Sequence, residues 1–381
     1  MGVNVIRVGM VTALGLDWHS SCAAARAGIR HAAPLDYFRF QTAEYEERAF
    51  VTGHPIDLLT RGFEGFGRLA RLLAATMRDL SLHPETRHRT ANDSERTPAL
   101  ETTAPFYLSI PDPERAGPLE IPEPGEGEEP PPPPTTAEIA ARLATAAAGI
   151  AQWPTAPPVA AVSTAGHAGF AEVLDRAIAD ISSGSCAAAI AGGVDSLLDE
   201  DTLRWLAVSD RLKHPGIAVG AVPGEGCALL LLSRAPDDAL CSVEAVNLAA
   251  EKQTVLARRH SDGAGLWQAA APLFAAALAA GDAPSLTSDH NGELYRAREF
   301  GGLLLHRRSL YPAAQDPPVV MPAVSFGDTG AASGALAAAY AAHSFTRRYA
   351  KAPVNLVLST SDGPPRGAIL LRAANGRNHG V

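Results

Sequence analysis

From residue 159 to the end of the chain, short apolar runs alternate with helical stretches, and the alternation restarts after Cys241. Residues 159–162, 187–191 and 226–232 read as buried strands, because each is short, wholly apolar and bounded by turn-forming residues. Gly192 and Gly193 are expected to stop the second of them. An amphipathic helix spans 168–183 and closes at Gly184, and another helix follows at 201–208. The second round predicts strands at 242–248, 285–288 and 319–324. Its helices are 265–280, 293–307 and 329–349, and it ends in a hairpin of 354–359 with 367–372. Upstream, 3–11 and 105–110 read as strands, and 18–27 and 66–82 as helices. Such strands belong to sheets covered on both faces by helices. The fold class is therefore α/β, built from two successive halves, 1–238 and 239–381.

One stretch breaks this pattern. Residues 111–134 hold seven acids and the single basic residue Arg115, and end in five consecutive prolines, Pro130 to Pro134. Polyproline joins neither helix nor sheet, so an extended, exposed insertion is expected there, acting as a spacer or a docking arm. Thr135 or Thr136 then caps a helix over 137–148. Of the formal net charge of −9, this stretch supplies −6, which leaves the body close to neutral. A chain without a basic face is a poor non-specific binder of nucleic acid.

Other classes are disfavoured too. The four cysteines (Cys22, Cys186, Cys227 and Cys241) are scattered, as expected of free thiols in a reducing compartment. No signal peptide is visible, and no apolar run reaches the roughly 18 residues of a membrane span. A cytoplasmic protein is expected. No histidine pattern matches a metal site, and no glycine loop matches a nucleotide fingerprint. No cofactor is expected.

Four glycine motifs carry a resemblance. Gly9-Met10-Val11-Thr12-Ala13-Leu14-Gly15 opens the chain, and Ala191-Gly192-Gly193-Val194-Asp195 follows the helix over 168–183. Val222-Pro223-Gly224-Glu225-Gly226 precedes an apolar strand, and Gly327-Asp328-Thr329-Gly330-Ala331-Ala332-Ser333-Gly334 precedes the last long helix. In this order they resemble the β-ketoacyl synthases of the thiolase-like superfamily. The resemblance implies a five-layer αβαβα sandwich of two related halves. It also implies a cysteine that accepts the acyl chain, with two histidines that assist decarboxylation and stabilise the oxyanion.

All three implied positions differ here. Counting back 25 residues from Gly192 places His167 where the family has its cysteine. In Asp289-His290-Asn291-Gly292-Glu293 the first histidine's place falls on Asn291, or on His290 after a one-residue slip. The second falls on Asp328, and the family's lysine on Ala323. The glycine-rich gate corresponds to Thr360-Ser361-Asp362-Gly363-Pro364-Pro365-Arg366-Gly367, where two prolines stiffen the loop.

Several readings follow from the resemblance and its departures. The leading one is a synthase-like protein without the Cys-His-His set that acts as a binding or scaffold subunit. It would dimerise with itself or with a synthase-like protein through the stretch 158–163, or receive an acyl carrier protein or an effector protein at the pocket entrance. A second is an acyl-thioester enzyme, an acyltransferase or hydrolase, with His167 as base and Asp328 orienting it. A third is an accessory protein of a bacterial secretion locus. Taken singly, Asp328 also suits a helix cap, Asn291 a local turn and Asp195 a structural role.

Overall fold

The structure, a computed structural model, describes residues 2–40, 49–81, 104–113, 115, 133–214, 216–235, 239–257 and 259–374. Most of the acidic, proline-rich run lies outside the described residues.

Both halves are built on one rule: strand, helix, strand, helix, strand, helix, strand, strand. In the first half β1 (Val3–Thr12) leads into α1 (Trp18–Arg26) and a two-stranded ribbon of β2 (Ala33–Phe40) and β3 (Ala49–Gly53). The unit continues with α2 (Gly65–Ser81), β4 (Phe106–Ser109), α3 (Thr136–Ala151), β5 (Val159–Ser163), α4 (Gly169–Ser183) and β6 (Ala188–Ser196). After α5 (Glu200–Val208) it closes with β7 (Glu225–Ser233). The second half runs β8 (Cys241–Ala250), α6 (Ala264–Ala279), β9 (Ser285–Ser288), α7 (Leu294–Leu310), β10 (Val319–Val320), α8 (Ser333–Thr346), β11 (Val354–Thr360) and β12 (Pro365–Ala373).

Strand order repeats as well. The first half is ordered β5-β4-β6-β7-β1 and the second β10-β9-β11-β12-β8. In each, the second strand lies parallel to both neighbours and the remaining pairs are antiparallel. Even a loop bond recurs: Phe106 N donates to Pro158 O at 2.7 Å, and Leu286 N to Pro318 O at 2.8 Å. The halves join where Val3–Val5 of β1 pairs with Cys241–Val243 of β8.

Alternation along each strand makes the layers, because successive side chains point to opposite faces. Ala228, Leu230 and Leu232 of β7 face inward with Val357, Ile369 and Leu371 of the other half, enclosing α4 and α8. Cys227, Leu229 and Leu231 face outward onto α2 and α3. Leu356, Leu358, Ala368 and Leu370 face outward onto α6 and α7. The result is the five-layer αβαβα sandwich. In α8 every residue from Gly334 to Phe345 is buried, so no polar stripe remains, as a helix packed on all sides requires. Among the described residues no helix is long and apolar enough to cross a membrane.

Several elements differ from sequence expectation. Gly192 and Gly193 do not stop a strand but lie inside β6. A Cβ at Gly192 would sit 2.3 Å from Ala228 O, and one at Gly193 would sit 2.6 Å from Ala331 O. The glycines serve close approach to the neighbouring strand and to the turn before α8. The strand expected over 319–324 shortens to two residues and a one-turn helix, Ala323–Phe326. The ribbon of β2 and β3 had no clear apolar alternation to announce it. Thr135 is the cap of α3, forming a full capping box with Glu138.

Candidate functional site

His167 lies within, and Asp328 two residues before, the short 3₁₀ turns (Gly166–Ala168 and Gly330–Ala332) that lead into the central helices α4 and α8. Those helices touch near their starts, where a Cβ at Gly334 would meet His167 O at 3.2 Å. The turns are thereby brought face to face, and His167 Nε2 lies 2.7 Å from Asp328 Oδ1. Asn291, just beyond the carboxyl end of β9, donates from Nδ2 to Asp328 Oδ2 at 2.5 Å. Its Oδ1 accepts from Glu293 N at 3.0 Å, closing its own turn. The three positions singled out in the sequence thus meet on one carboxylate. His290 is not part of this cluster: it is half-buried, and its Nδ1 has no hydrogen-bond partner among the described residues. Asp328 also accepts from Gly330 N at 3.0 Å, so it braces its turn while it holds His167.

Residues 133–238 match the model of the β-ketoacyl synthase N-terminal domain. Over that stretch the chain is similar to the β-ketoacyl synthases. The solved structures agree in fold. A type II PKS acyl-carrier protein in complex with its ketosynthase aligns over 98% of this chain and 99% of that one, with TM-score 0.71 and 13% identity. The ishigamide ketosynthase/chain length factor aligns over 98% and 99%, with TM-score 0.67 and 15% identity. The ketosynthase from module 6 of the bacillaene synthase of Bacillus subtilis 168 aligns over 98% of this chain and 72% of that one, with TM-score 0.70 and 11% identity. No curated protein matches.

In this synthase-like chain the cluster extends into a buried ion network that sequence reasoning did not reach. Arg296 on α7, wholly out of solvent, donates from Nη1 to Asp289 Oδ2 at 2.8 Å and to Thr360 O. Its Nη2 is 3.3 Å from Asp362 Oδ1. Arg211 grips Glu293 at 2.6 and 3.1 Å and Asp362 at 2.8 and 2.9 Å. Tyr295 donates its hydroxyl to Asp362 at 2.6 Å. Four carboxylates (Asp289, Glu293, Asp328 and Asp362) therefore face two guanidiniums. Burial alone would raise the Asp328 carboxyl, but His167 first and then Arg296 outweigh it and hold it well below the usual carboxylate range. Asp362 is likewise held low against burial, by Arg211 first and then by Arg296 and His167.

With Asp328 ionised and accepting only, the hydrogen of this bond sits on His167 Nε2, which donates it to the carboxylate. Arg296 Nη2 lies 3.0 Å from His167 Nδ1 and 3.2 Å from Nε2. The in-plane directions of the two ring nitrogens diverge, so one atom near both lies against the ring and not along either. The imidazole is pinned between a carboxylate and a guanidinium.

His167 forms part of the wall of a cavity of about 580 Å³, with Arg115, Thr202, Trp205, Leu256 and Asp362 among its lining. Asp195 at its edge accepts from Ala331 N at 2.7 Å, from Ser196 N at 2.7 Å and from Arg115, a structural tie between the halves. The gate-like segment after β11 is tied down: Ser361 Oγ accepts from Ala168 N at 3.0 Å and donates to Ala165 O. One signal could have revealed the network. Glu293, Arg296 and Glu299 put charges three apart on a helix face that must be buried, and buried charges need partners.

Proposed function

We propose that this chain is a non-catalytic member of the β-ketoacyl synthase family that acts by binding, as the partner subunit of a synthase-like protein. One observation carries this reading: the turn before α4, where acyl acceptance needs a thiolate, holds a pinned imidazole. No thiol can stand in for it. Cys22, Cys227 and Cys241 are buried and none of the four cysteines lines the cavity. Burial pushes the Cys22 thiol far up and the Cys227 thiol to about 12, away from the reactive thiolate.

The partner surface is the edge of the sheet. β5 ends the strand order, and its Val159, Ala161 and Val162 are only half-buried while Ala160 is exposed. The interior strand β6 is buried throughout. An unpaired edge is a template for strand addition. Among the similar folds are a ketosynthase/chain length factor and a ketosynthase in complex with its acyl-carrier protein. A synthase-like subunit and an acyl carrier protein are accordingly the two partners this reading admits. Light scattering on the purified protein, alone and mixed with a synthase, should find a dimer that Ala160→Lys dissociates without unfolding. A monomer under every condition would defeat the pairing.

The hydrogen bond between His167 and Asp328 favours a second reading, a base oriented by a carboxylate and acting on a thioester. Incubation with acyl-CoA and acyl-carrier thioesters separates the two. Intact-mass spectrometry and free-thiol release should show no adduct and no turnover. An adduct or thiol release that His167→Ala abolishes would replace the scaffold reading with the enzymatic one.

A further inference from the structure

The non-catalytic reading leaves open why a buried imidazole beside a carboxylate should stay inert, and the buried face of α7 supplies the cause. We infer that Arg296 is a positioning residue that locks His167 and shuts off the approach of any acyl group to its ring. The inference rests on the proposed non-catalytic role and adds the residue that enforces it.

Three observations support the lock. Arg296 is 2% exposed, and its guanidinium lies against the imidazole within 3.2 Å of both ring nitrogens. An acyl group bonding to Nδ1, the nitrogen that Asp328 does not engage, would press its substituents on Nη2, 3.0 Å from that nitrogen. The guanidinium is itself immobilised by Asp289 at 2.8 Å, Asp362 at 3.3 Å and the carbonyl of Thr360, with Glu293 Oε2 3.4 Å from Nε. A planar fork held at several donors has little freedom to swing away. Finally, the other side of His167 is taken by Asp328, whose second oxygen is engaged by Asn291. The ring can neither rotate toward the cavity nor shed either neighbour without leaving a buried carboxylate uncompensated. What remains open is the cavity in front of it, which can hold a ligand that is never attacked.

The lock is tested by acylating imidazoles with diethyl pyrocarbonate and mapping the modified peptides by mass spectrometry, with the exposed His31 as internal standard. In the native protein His167 should react about 100-fold more slowly than His31, because reaction waits on local opening. In Arg296→Lys, whose compact ammonium cannot cover a ring face, the ratio should shrink to about tenfold or less. Arg296→Gln combined with Asp289→Asn removes one cation and one anion together, and keeps the test alive if the hydrogen bonds lost in the first variant prevent folding. Modification of native His167 at the rate of His31 overturns the lock, as does unchanged protection in either folded variant. Acyl-thioester turnover by the native protein would instead overturn the non-catalytic reading, so the two failures are distinguishable.

Discussion

Arg366→Met should cost this protein more than any surface change, because it strips the partner from a fully buried acid. Arg366 and Glu299 have no solvent exposure, and the guanidinium meets the carboxylate twice at 2.7 Å. Its Nη1 also donates to the carbonyls of Ser361 at 2.9 Å, Gly363 at 2.7 Å and Pro365 at 2.8 Å, which shapes the loop between β11 and β12. Removing one partner of a buried pair costs about 3–5 kcal/mol, since the remaining charge stays desolvated and uncompensated. The buried Ser361 carbonyl adds about 1 kcal/mol. A chain of this length unfolds with an entropy of about 0.8 kcal/mol/K, so the loss appears as a drop of about 5–8 °C in Tm by scanning calorimetry. Adding Glu299→Leu removes the orphaned charge, and the double variant should return to within about 2 kcal/mol of the native protein. A double variant as unstable as Arg366→Met alone would refute the reasoning, because the cost would then lie in the loop and its packing and not in an uncompensated charge.

Acid should loosen the central network. Asp328 and Asp362 are held low in the folded state, so their contribution is complete above about pH 4 and is lost as the pH falls below it, each by up to about 1.4 kcal/mol per pH unit. Urea titrations between pH 5 and 2.5 should show this slope, and Asp328→Asn should flatten it. His54 and His343 act at higher pH: burial holds them down, to about 4 and about 3, so the unfolded chain takes up their protons first and stability falls as the pH drops from about 6.5. Proton NMR should find both imidazoles neutral at pH 5.5, and titration of either above pH 6 would contradict this. Gly193→Ala should cost about 1–3 kcal/mol, because its Cβ would press on Ala331 O. Gly149→Ala, in α3 with nothing within 4 Å of its Cβ, should raise stability by about 0.5–1 kcal/mol.

Features written in short windows are legible from the order of residues alone. The alternation of apolar strands and helices, the capping of α3 by Thr135 with Glu138, and the closure of α4 at Gly184 each rest on residues within a few positions of one another. The motifs from Gly9 to Gly334 carry the family resemblance for the same reason, and they place His167, Asn291 and Asp328 individually. What they do not supply is distance. His167 meets Asp328 across 161 positions and Arg296 across 129. Only the stacking of two repeats, with α4 and α8 side by side between the sheets, makes these residues neighbours. The same holds for Gly192 and Gly193, which look like strand breakers until Ala228 O and Ala331 O arrive from elsewhere in the chain. Sequence determined the α/β alternation and, through the resemblance, which residues stand where the β-ketoacyl synthases have their catalytic set. Tertiary structure decided that an arginine from the second half lies against His167, because Asp289, Asp362 and the carbonyl of Thr360 fix its guanidinium there.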